Sequence, residues 1–309
     1  MIDVALVGTG GMMPLPGRFL SSMMCRVDGS MILFDCGEGT QVSLRLLGWG
    51  FKQIDMICFT HFHGDHISGL PGMLFSMANS ERTEPLKLFG PAGLKSIVQS
   101  LCVIVPDVPF PIEFYEWESR SKHSYVVPNN NALTIKALPV NHRGGCFAYS
   151  IELGRRGKFD PERAKSQNIP LKLWGALQKQ TDANIVYEGR TYTSDMVLGD
   201  VRKGLKLVFC TDTRPVAALP EFAENADLFI CEGLYGDNEK QEKAAKRKHM
   251  IFSEAAEVAR EAKVKELWLT HFSPAMADPH NYLNQATDIF PNTKIGKDRM
   301  AKTLRFDEN

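Results

Sequence analysis

Residues 61–66 read His61-Phe62-His63-Gly64-Asp65-His66 and follow, after Thr60, on the apolar run 54–59, IDMICF. Four ligand-type side chains in six positions are not buried without partners. The run therefore has to be a strand that ends where its chain meets a metal, solvent or other polar groups. His61 and His63 stand two apart in extended chain and point the same way, whereas Asp65 and His66 project elsewhere, toward a helix expected from Gly69. Two ligand pairs on one short loop suit two neighbouring metals better than one. Zinc takes neutral imidazole nitrogen and carboxylate oxygen, commonly in a tetrahedron, and keeps a position open where it is catalytic. The chain has eight histidines in 309 residues, so three in one loop argue for a metal over a merely polar turn.

The same punctuation recurs along the chain. Short apolar runs predict strands over 2–8, 31–35, 54–59, 86–90, 133–140, 146–153, 205–211, 227–232 and 266–270, and their unbroken character implies sheets covered on both faces. Helical patterns fall at 39–47, 69–78, 92–104, 216–224, 253–263 and 281–289, with Ser253 expected to cap the fifth of these. Strands and helices interleave in both halves, which predicts one layered α/β domain over 1–309. His142 follows the strand at 133–140, Asp212 the one at 205–211, His271 the one at 266–270, and His249 lies just before a helix. Strand ends gather at one edge of an α/β sheet, so these residues join the 61–66 loop in a single expected site. Six of the eight histidines are then accounted for, with His123 and His280 left over. The seven cysteines show no CxxC spacing and sit mostly in apolar runs, which reads as reduced core residues.

One stretch breaks this rhythm. Residues 154–200 carry little buried-strand signal, and positions 154–179 hold seven Lys or Arg against Asp160 and Glu162. The whole chain balances 36 basic against 36 acidic residues, so any nucleic-acid footprint has to be local. The expectation is an inserted basic arm that contacts phosphates, against the plainer reading of a solvated excursion. The N-terminus lacks a basic stretch followed by a long apolar one, and no apolar run approaches about 18 residues, so a cytoplasmic protein without membrane contact is expected.

The residues that carry this pattern resemble a known family. His61, His63, Asp65 and His66 as HxHxDH, then His142, Asp212 and His271 in that order, resemble the dinuclear zinc hydrolases of the metallo-β-lactamase fold. Within that superfamily the stretches GTGGMMPLPGRFLSS, LFDCGEGTQ, THFHGDHISGLPGML, VFCTDTRP and KRKHMIFSEAAEVAREA are most similar to ribonuclease Z. The resemblance implies an αββα sandwich, two facing mixed sheets with helices on the outer faces. It also implies two Zn²⁺ per subunit, with Mn²⁺ as a substitute. One ion would sit on His61, His63 and His142, the other on Asp65, His66 and His271, with Asp212 between them. The implied activity is removal of the 3′ trailer from precursor tRNA by a metal-bridged hydroxide, leaving a 3′-OH on the tRNA. Asp65 would orient or deprotonate the water, and His249 would stabilise the transition state or protonate the leaving 3′ oxygen. Glu232 would support a ligand histidine or His249. A homodimer whose arm reaches RNA held by its partner is implied as well. Arg18, Arg155, Arg156, Lys158, Lys172 and Lys248 are the cations expected to meet RNA.

Two departures bear on substrate. The arm reads Asn168-Ile169-Pro170-Leu171-Lys172-Leu173-Trp174-Gly175 and lacks the family's Gly-Pro, and Pro14-Leu15-Pro16-Gly17-Arg18-Phe19 keeps only the Pro and Arg of PxKxRN. Recognition of trailers and of mature CCA ends is therefore open. The alternative is a phosphodiesterase of the same fold acting on small phosphodiesters such as cyclic nucleotides. Metal chemistry alone also allows ester or thioester hydrolysis, and a fold kept only for RNA binding is the third class.

Overall fold

The computed structural model describes residues 1–105, 107–128, 132–179 and 184–307. Its first half supplies strands β1 (Ile2–Gly8), β2 (Ser22–Val27), β3 (Ser30–Phe34), β4 (Met56–Cys58), β5 (Leu86–Pro91), β6 (Ile112–Trp117), β7 (His123–Val126), β8 (Leu133–Val140) and β9 (Cys146–Arg155). The second half adds β10 (Ile185–Tyr187), β11 (Arg190–Tyr192), β12 (Arg202–Cys210), β13 (Leu228–Glu232), β14 (Leu267–Thr270), β15 (Thr293–Ile295) and β16 (Ala301–Leu304). Helices are α1 (Thr40–Leu47), α2 (Gly64–Ile67), α3 (Leu70–Ala78), α4 (Leu94–Leu101), α5 (Pro161–Ser166), α6 (Leu171–Lys179), α7 (Ala218–Phe222), α8 (Gln241–Arg247), α9 (Phe252–Glu261) and α10 (Asn284–Thr287).

Two seven-stranded mixed sheets result, in the orders β16-β1-β2-β3-β4-β5-β6 and β15-β14-β13-β12-β9-β8-β7. Alternation along each strand decides which layer a side chain enters. Met56 and Cys58 of β4, with Leu228 and Ile230 of β13, pack between the sheets around Phe34, Tyr149, Phe209 and Trp268. Their neighbours Ile57 and Leu88 turn outward against Leu44, Leu70, Met73 and Leu94 of α1, α3 and α4. Phe229 and Cys231 turn the other way, against Phe252, Ala255 and Ala259 of α9. Helix, sheet, sheet and helix are thus stacked in the αββα order, and the unbroken apolar runs follow from strands buried on both faces.

The parallel segments position the site. Strands β3, β4 and β5 pair parallel, as do β12, β13 and β14. Register brings their carboxyl ends level, with Cys58 opposite Phe34 and Phe89, Cys210 opposite Cys231, and Glu232 opposite Thr270. Both halves therefore present their strand ends to one edge, as the crevice rule for α/β sheets requires.

The expected elements needed revision in particular places. Strands β2, β6, β7, β15 and β16 were not expected: β6 (IEFYEW) and β7 (HSYV) are sheet edges that stay only partly buried and are interrupted by polar residues, so they lack the apolar run used as the signal. The expected helix at 281–289 is a 3₁₀ turn, Pro279–Tyr282, followed by α10. Ser253 does not cap α9: the helix starts at Phe252, and Glu254 Oε2 accepts the Ile251 N–H at 3.1 Å while Ser253 Oγ donates to Asn238 Oδ1. The cysteines are free, and all but Cys102 are buried.

Residues between β9 and β12 fold around a cluster of their own. Asp160 accepts from the N–H groups of Glu162 and Arg163, both at 3.0 Å, with Pro161 at the first turn, so α5 has the expected start for a capped helix. Ala164, Leu173, Leu177, Tyr192 and Val197 close against Phe159 and Trp174, and β10 and β11 form a hairpin beside them. At the stem, a Cβ on Gly157 would lie 2.1 Å from the Gly199 carbonyl oxygen, so the two chains cross at a separation that only glycine allows.

Candidate metal centre

Each candidate ligand stands just past a strand. His61, His63, Asp65 and His66 leave β4 and enter α2, His142 follows β8, Asp212 follows β12 and His271 follows β14. His249 lies between α8 and α9, where Lys248 in the left-handed region (φ 62°) ends α8. The structure brings these residues together in three overlapping groups with ligand atoms within 4.8 Å of one another: His61, His63, His142 and Asp212; Asp65, His66 and His271; and Asp212, His249 and His271.

Asp212 joins the groups through different oxygens. Its Oδ2 is 3.6 Å from His61 Nε2 and 3.5 Å from His142 Nε2. Its Oδ1 is 3.2 Å from His66 Nε2 and 3.1 Å from His271 Nε2. Asp65 Oδ2 closes the second group at 3.3 Å from His271 Nε2 and 3.8 Å from His66 Nε2. Asp212 Oδ1 and His61 Nε2 are buried and take no hydrogen-bond partner among the described residues. Native interiors rarely leave such atoms unpaired, and a converging set of imidazole nitrogens and carboxylate oxygens is the donor chemistry of zinc and its neighbours. The residues present fit divalent metal.

The surroundings prepare the ligands electronically. Burial holds the imidazoles of His61, His63 and His142 below their usual range, so they stand neutral, as metal ligation requires. Burial opposes the Asp65 carboxylate, but the His271 hydrogen bond and the charge of His66 outweigh it and hold Asp65 well below the usual carboxylate range.

The far ring nitrogens are held too. His66 Nδ1 meets Asp35 Oδ2 at 2.7 Å, and Asp35 is itself fixed by the Thr60 N–H at 2.8 Å and the Thr60 hydroxyl. His61 Nδ1 faces the Thr60 hydroxyl at 3.1 Å, and His142 Nδ1 donates to the Lys248 carbonyl at 3.1 Å. Such contacts fix the tautomer so that Nε2 carries the ligating lone pair. Asp35 and His271 both adopt the left-handed region, at φ 55° and 59°, a strain typical of functional positions. A Cβ on Gly11 would lie 2.7 Å from the His271 ring, so that glycine makes room for the ligand.

His249 sits beside the ligands. Its ring centroid is 5.0 Å from that of His142 and 5.7 Å from that of His271, and its Nδ1 is 3.0 Å from Glu232 Oε2. Burial alone pulls this imidazole down. The Glu232 charge and hydrogen bond override it, and the pKa is pushed up to about 9. Glu232 also takes the Thr213 N–H through Oε1.

The cations expected to meet RNA are spread out. Arg18 directs its guanidinium to the carbonyls of Ser273, Met276 and Ala277, tying the loop before β2 to the segment after His271. Arg155 donates to the Asp307 carbonyl and lies over Phe306. Lys172 lies over the Tyr187 ring at 3.7 Å and donates to its hydroxyl. Arg156 lies half-buried at the arm's stem, Lys158 is exposed there, and Lys248 is half-buried behind His142. Sequence reasoning did not single out Asp35, Thr60 or Arg214. The signal for Asp35 was its place, an acid directly after an apolar strand, as with the ligands themselves.

Comparison with known proteins follows the same lines. A family model described as Anti-Pycsar protein Apyc1 matches residues 2–103. Curated proteins named ribonuclease Z match the whole chain. That of Lachnoclostridium phytofermentans is 52% identical over 309 residues and that of Clostridium acetobutylicum 50% over 311, each with full coverage of both chains. Among solved structures, the short form of human tRNase Z superposes with a TM-score of 0.70 over 98% of this chain and 100% of its own, at 23% identity. The metallo-β-lactamase-fold protein YhfI of Bacillus subtilis gives 0.68 over 97% and 98%, at 19% identity.

Proposed function

The chain belongs to the ribonuclease Z family, and on that premise we propose how its own residues cut RNA. It is a metal-dependent endoribonuclease of tRNA 3′ processing, on the metallo-β-lactamase fold. We assign one Zn²⁺ to His61, His63 and His142 and a second to Asp65, His66 and His271, with Asp212 shared and Mn²⁺ able to substitute. The observation that carries this assignment is the division of Asp212, one oxygen toward each histidine group.

Held by these residues, divalent metal would lower the pKa of water toward about 7 and offset the charge that develops on phosphate. The remaining work falls to the protein. Asp65 receives the Met12 N–H at 2.6 Å on Oδ2, which fixes its carboxylate to orient the attacking water and take its proton. The water oxygen bonds to phosphorus as the bond from phosphorus to the 3′ oxygen breaks. His249, protonated by virtue of Glu232, has Nδ1 engaged and gives its Nε2 proton to that 3′ oxygen. The tRNA keeps a 3′-OH and the trailer leaves with the phosphate.

The arm at 154–200 is read as an RNA-holding exosite, and its separate apolar cluster supports a unit able to act as one. A homodimer whose arm reaches RNA on the partner, and a cytoplasmic location, complete the proposal. No helix among the described residues is long and apolar enough to cross a membrane. The test is cleavage of a trailer-bearing precursor tRNA with Zn²⁺ or Mn²⁺, with the ends mapped. A 3′-OH at the trailer junction is expected. Hydrolysis of an aryl phosphodiester with no cleavage of precursor tRNA would replace this reading with a small-phosphodiester hydrolase.

A further inference from the structure

Arg214 stands two residues past Asp212 and touches three loops of the site. Its N–H donates to the Asn141 carbonyl at 3.1 Å, beside His142. Thr213 Oγ1 accepts the Asn141 N–H at 2.9 Å, so the loops after β8 and β12 are laced together. The Arg214 Nη1 donates to the His249 carbonyl at 2.6 Å and to Glu254 Oε2 at 2.7 Å, and its Nη2 donates to Glu254 Oε1. Glu254 in turn accepts the Ile251 N–H, in the turn that connects His249 to α9. The side chains of the pair are only 20% and 9% exposed. Nη1 thus spends both its hydrogens on protein acceptors and Nη2 at least one, so the guanidinium is engaged chiefly within the protein.

We infer that the Arg214–Glu254 pair is a positioning clamp, which fixes the main chain bearing His249 against the loops bearing His142 and Asp212 and so sets the proton donor on the leaving oxygen. The physical reason is the fork. A planar guanidinium pairs both carboxylate oxygens at once while a further N–H reaches a carbonyl, and lysine cannot reproduce that geometry. His249 follows a left-handed residue in a turn, with no regular secondary structure at its own position to hold it. Glu232 fixes the ring nitrogen, and the clamp fixes the backbone behind it. The inference rests on the reading of His249 as proton donor given above.

The test measures kcat and KM for Arg214→Ala, Arg214→Lys and Glu254→Gln on precursor tRNA and on an activated aryl phosphodiester, with metal content measured alongside. A misplacement of about 1 Å is enough to lose on the order of 100-fold in rate, so kcat on RNA should fall roughly 10- to 100-fold in all three, with KM and bound metal little changed. The aryl substrate leaves as a stabilised phenolate that needs no proton, so its hydrolysis should be nearly spared. Arg214→Ala should add nothing in a His249→Ala background, because both remove the same step. Equal losses on both substrates, loss of metal, or additive effects would overturn the clamp. If Arg214→Ala does not fold, the milder Arg214→Lys and Glu254→Gln carry the same expectations. If the wild-type enzyme leaves precursor tRNA intact, the substrate reading fails by itself. The clamp is then decided by comparing an alkyl with an aryl phosphodiester.

Discussion

Replacing Glu232 by glutamine removes one charge and leaves the shape almost unaltered. The amide would keep an oxygen for the Thr213 N–H, but the carboxylate 3.0 Å from His249 Nδ1 would be gone. In the wild-type protein that imidazole is raised from 6.5 to about 9, against a burial effect that acts the other way. The difference of roughly 2.5, at 1.36 kcal/mol per pH unit, is on the order of 3 kcal/mol of preference for the protonated form. The sign follows from the direction of the shift. His249 stabilises the metal-free fold fully below pH 6.5, and the contribution disappears as pH rises through about 9. In Glu232→Gln burial prevails, with the Asp212 carboxylate 4.0 Å away as the nearest remaining support. An NMR titration of the metal-free protein should find a histidine near 9 that drops to 6.5 or below in the variant. Urea unfolding should find the wild-type advantage shrinking across the same window. Bound metal ions add positive charge nearby and pull His249 down, so in the loaded enzyme only the direction is diagnostic: the alkaline limb of kcat on RNA should move to lower pH in the variant. A wild-type His249 that titrates at 6.5 or below without metal, or a titration unmoved by the substitution, would refute the reasoning.

Asp65→Ala should abolish turnover on RNA, with the fold intact by circular dichroism, since its carboxylate is both ligand and proton acceptor in the proposed step. Asp35→Asn keeps the Thr60 contacts nearly in place but takes the charge from His66 Nδ1, and metal affinity should fall roughly 10- to 100-fold in a competition titration. Joining Lys158 to Gly199 through a short glycine link, which their 2.8 Å backbone bond makes geometrically easy, removes the arm. The shortened enzyme should bind precursor tRNA more weakly, with a shallower salt dependence, and should hydrolyse an aryl phosphodiester at its former rate.

What the sequence makes legible follows from burial on two faces. β4 and the buried stretches Leu207–Cys210 of β12, Leu228–Cys231 of β13 and Leu267–Leu269 of β14 are apolar at every position because both neighbouring layers are protein, so each reads as a run and its end reads as a break. The candidate ligands sit at those breaks, which is why their places at strand ends could gather them into one expected site. Edges such as β6 and β7 are interrupted by polar residues and look like loops. Pairings made by tertiary structure leave no local trace either. Arg214 and Glu254 are 40 residues apart, and nothing in VFCTDTRP or HMIFSEAA says that one serves the other.

Charge was the least legible property, and the reason is the donor capacity of arginine and lysine rather than their number. Five N–H groups on a guanidinium can all be taken by backbone carbonyls without altering the formal charge. Arg18 illustrates it. Read as a cation on a substrate-sensing loop, it binds three carbonyls after His271 instead, while the same loop passes its Met12 N–H to Asp65. The segment between Gly11 and Phe19 is thereby fastened to Asp65 at one end and to the chain that follows His271 at the other, so a change in it acts on the candidate metal centre as well as on RNA. Arg155 and Lys172 are similarly engaged, whereas Lys158 at the arm's stem is exposed. The excess of about five positive charges over residues 154–179, the first part of the arm, would then supply the field that draws RNA to the proposed exosite. The specific contacts have to come from the subset of cations whose donors the fold leaves uncommitted.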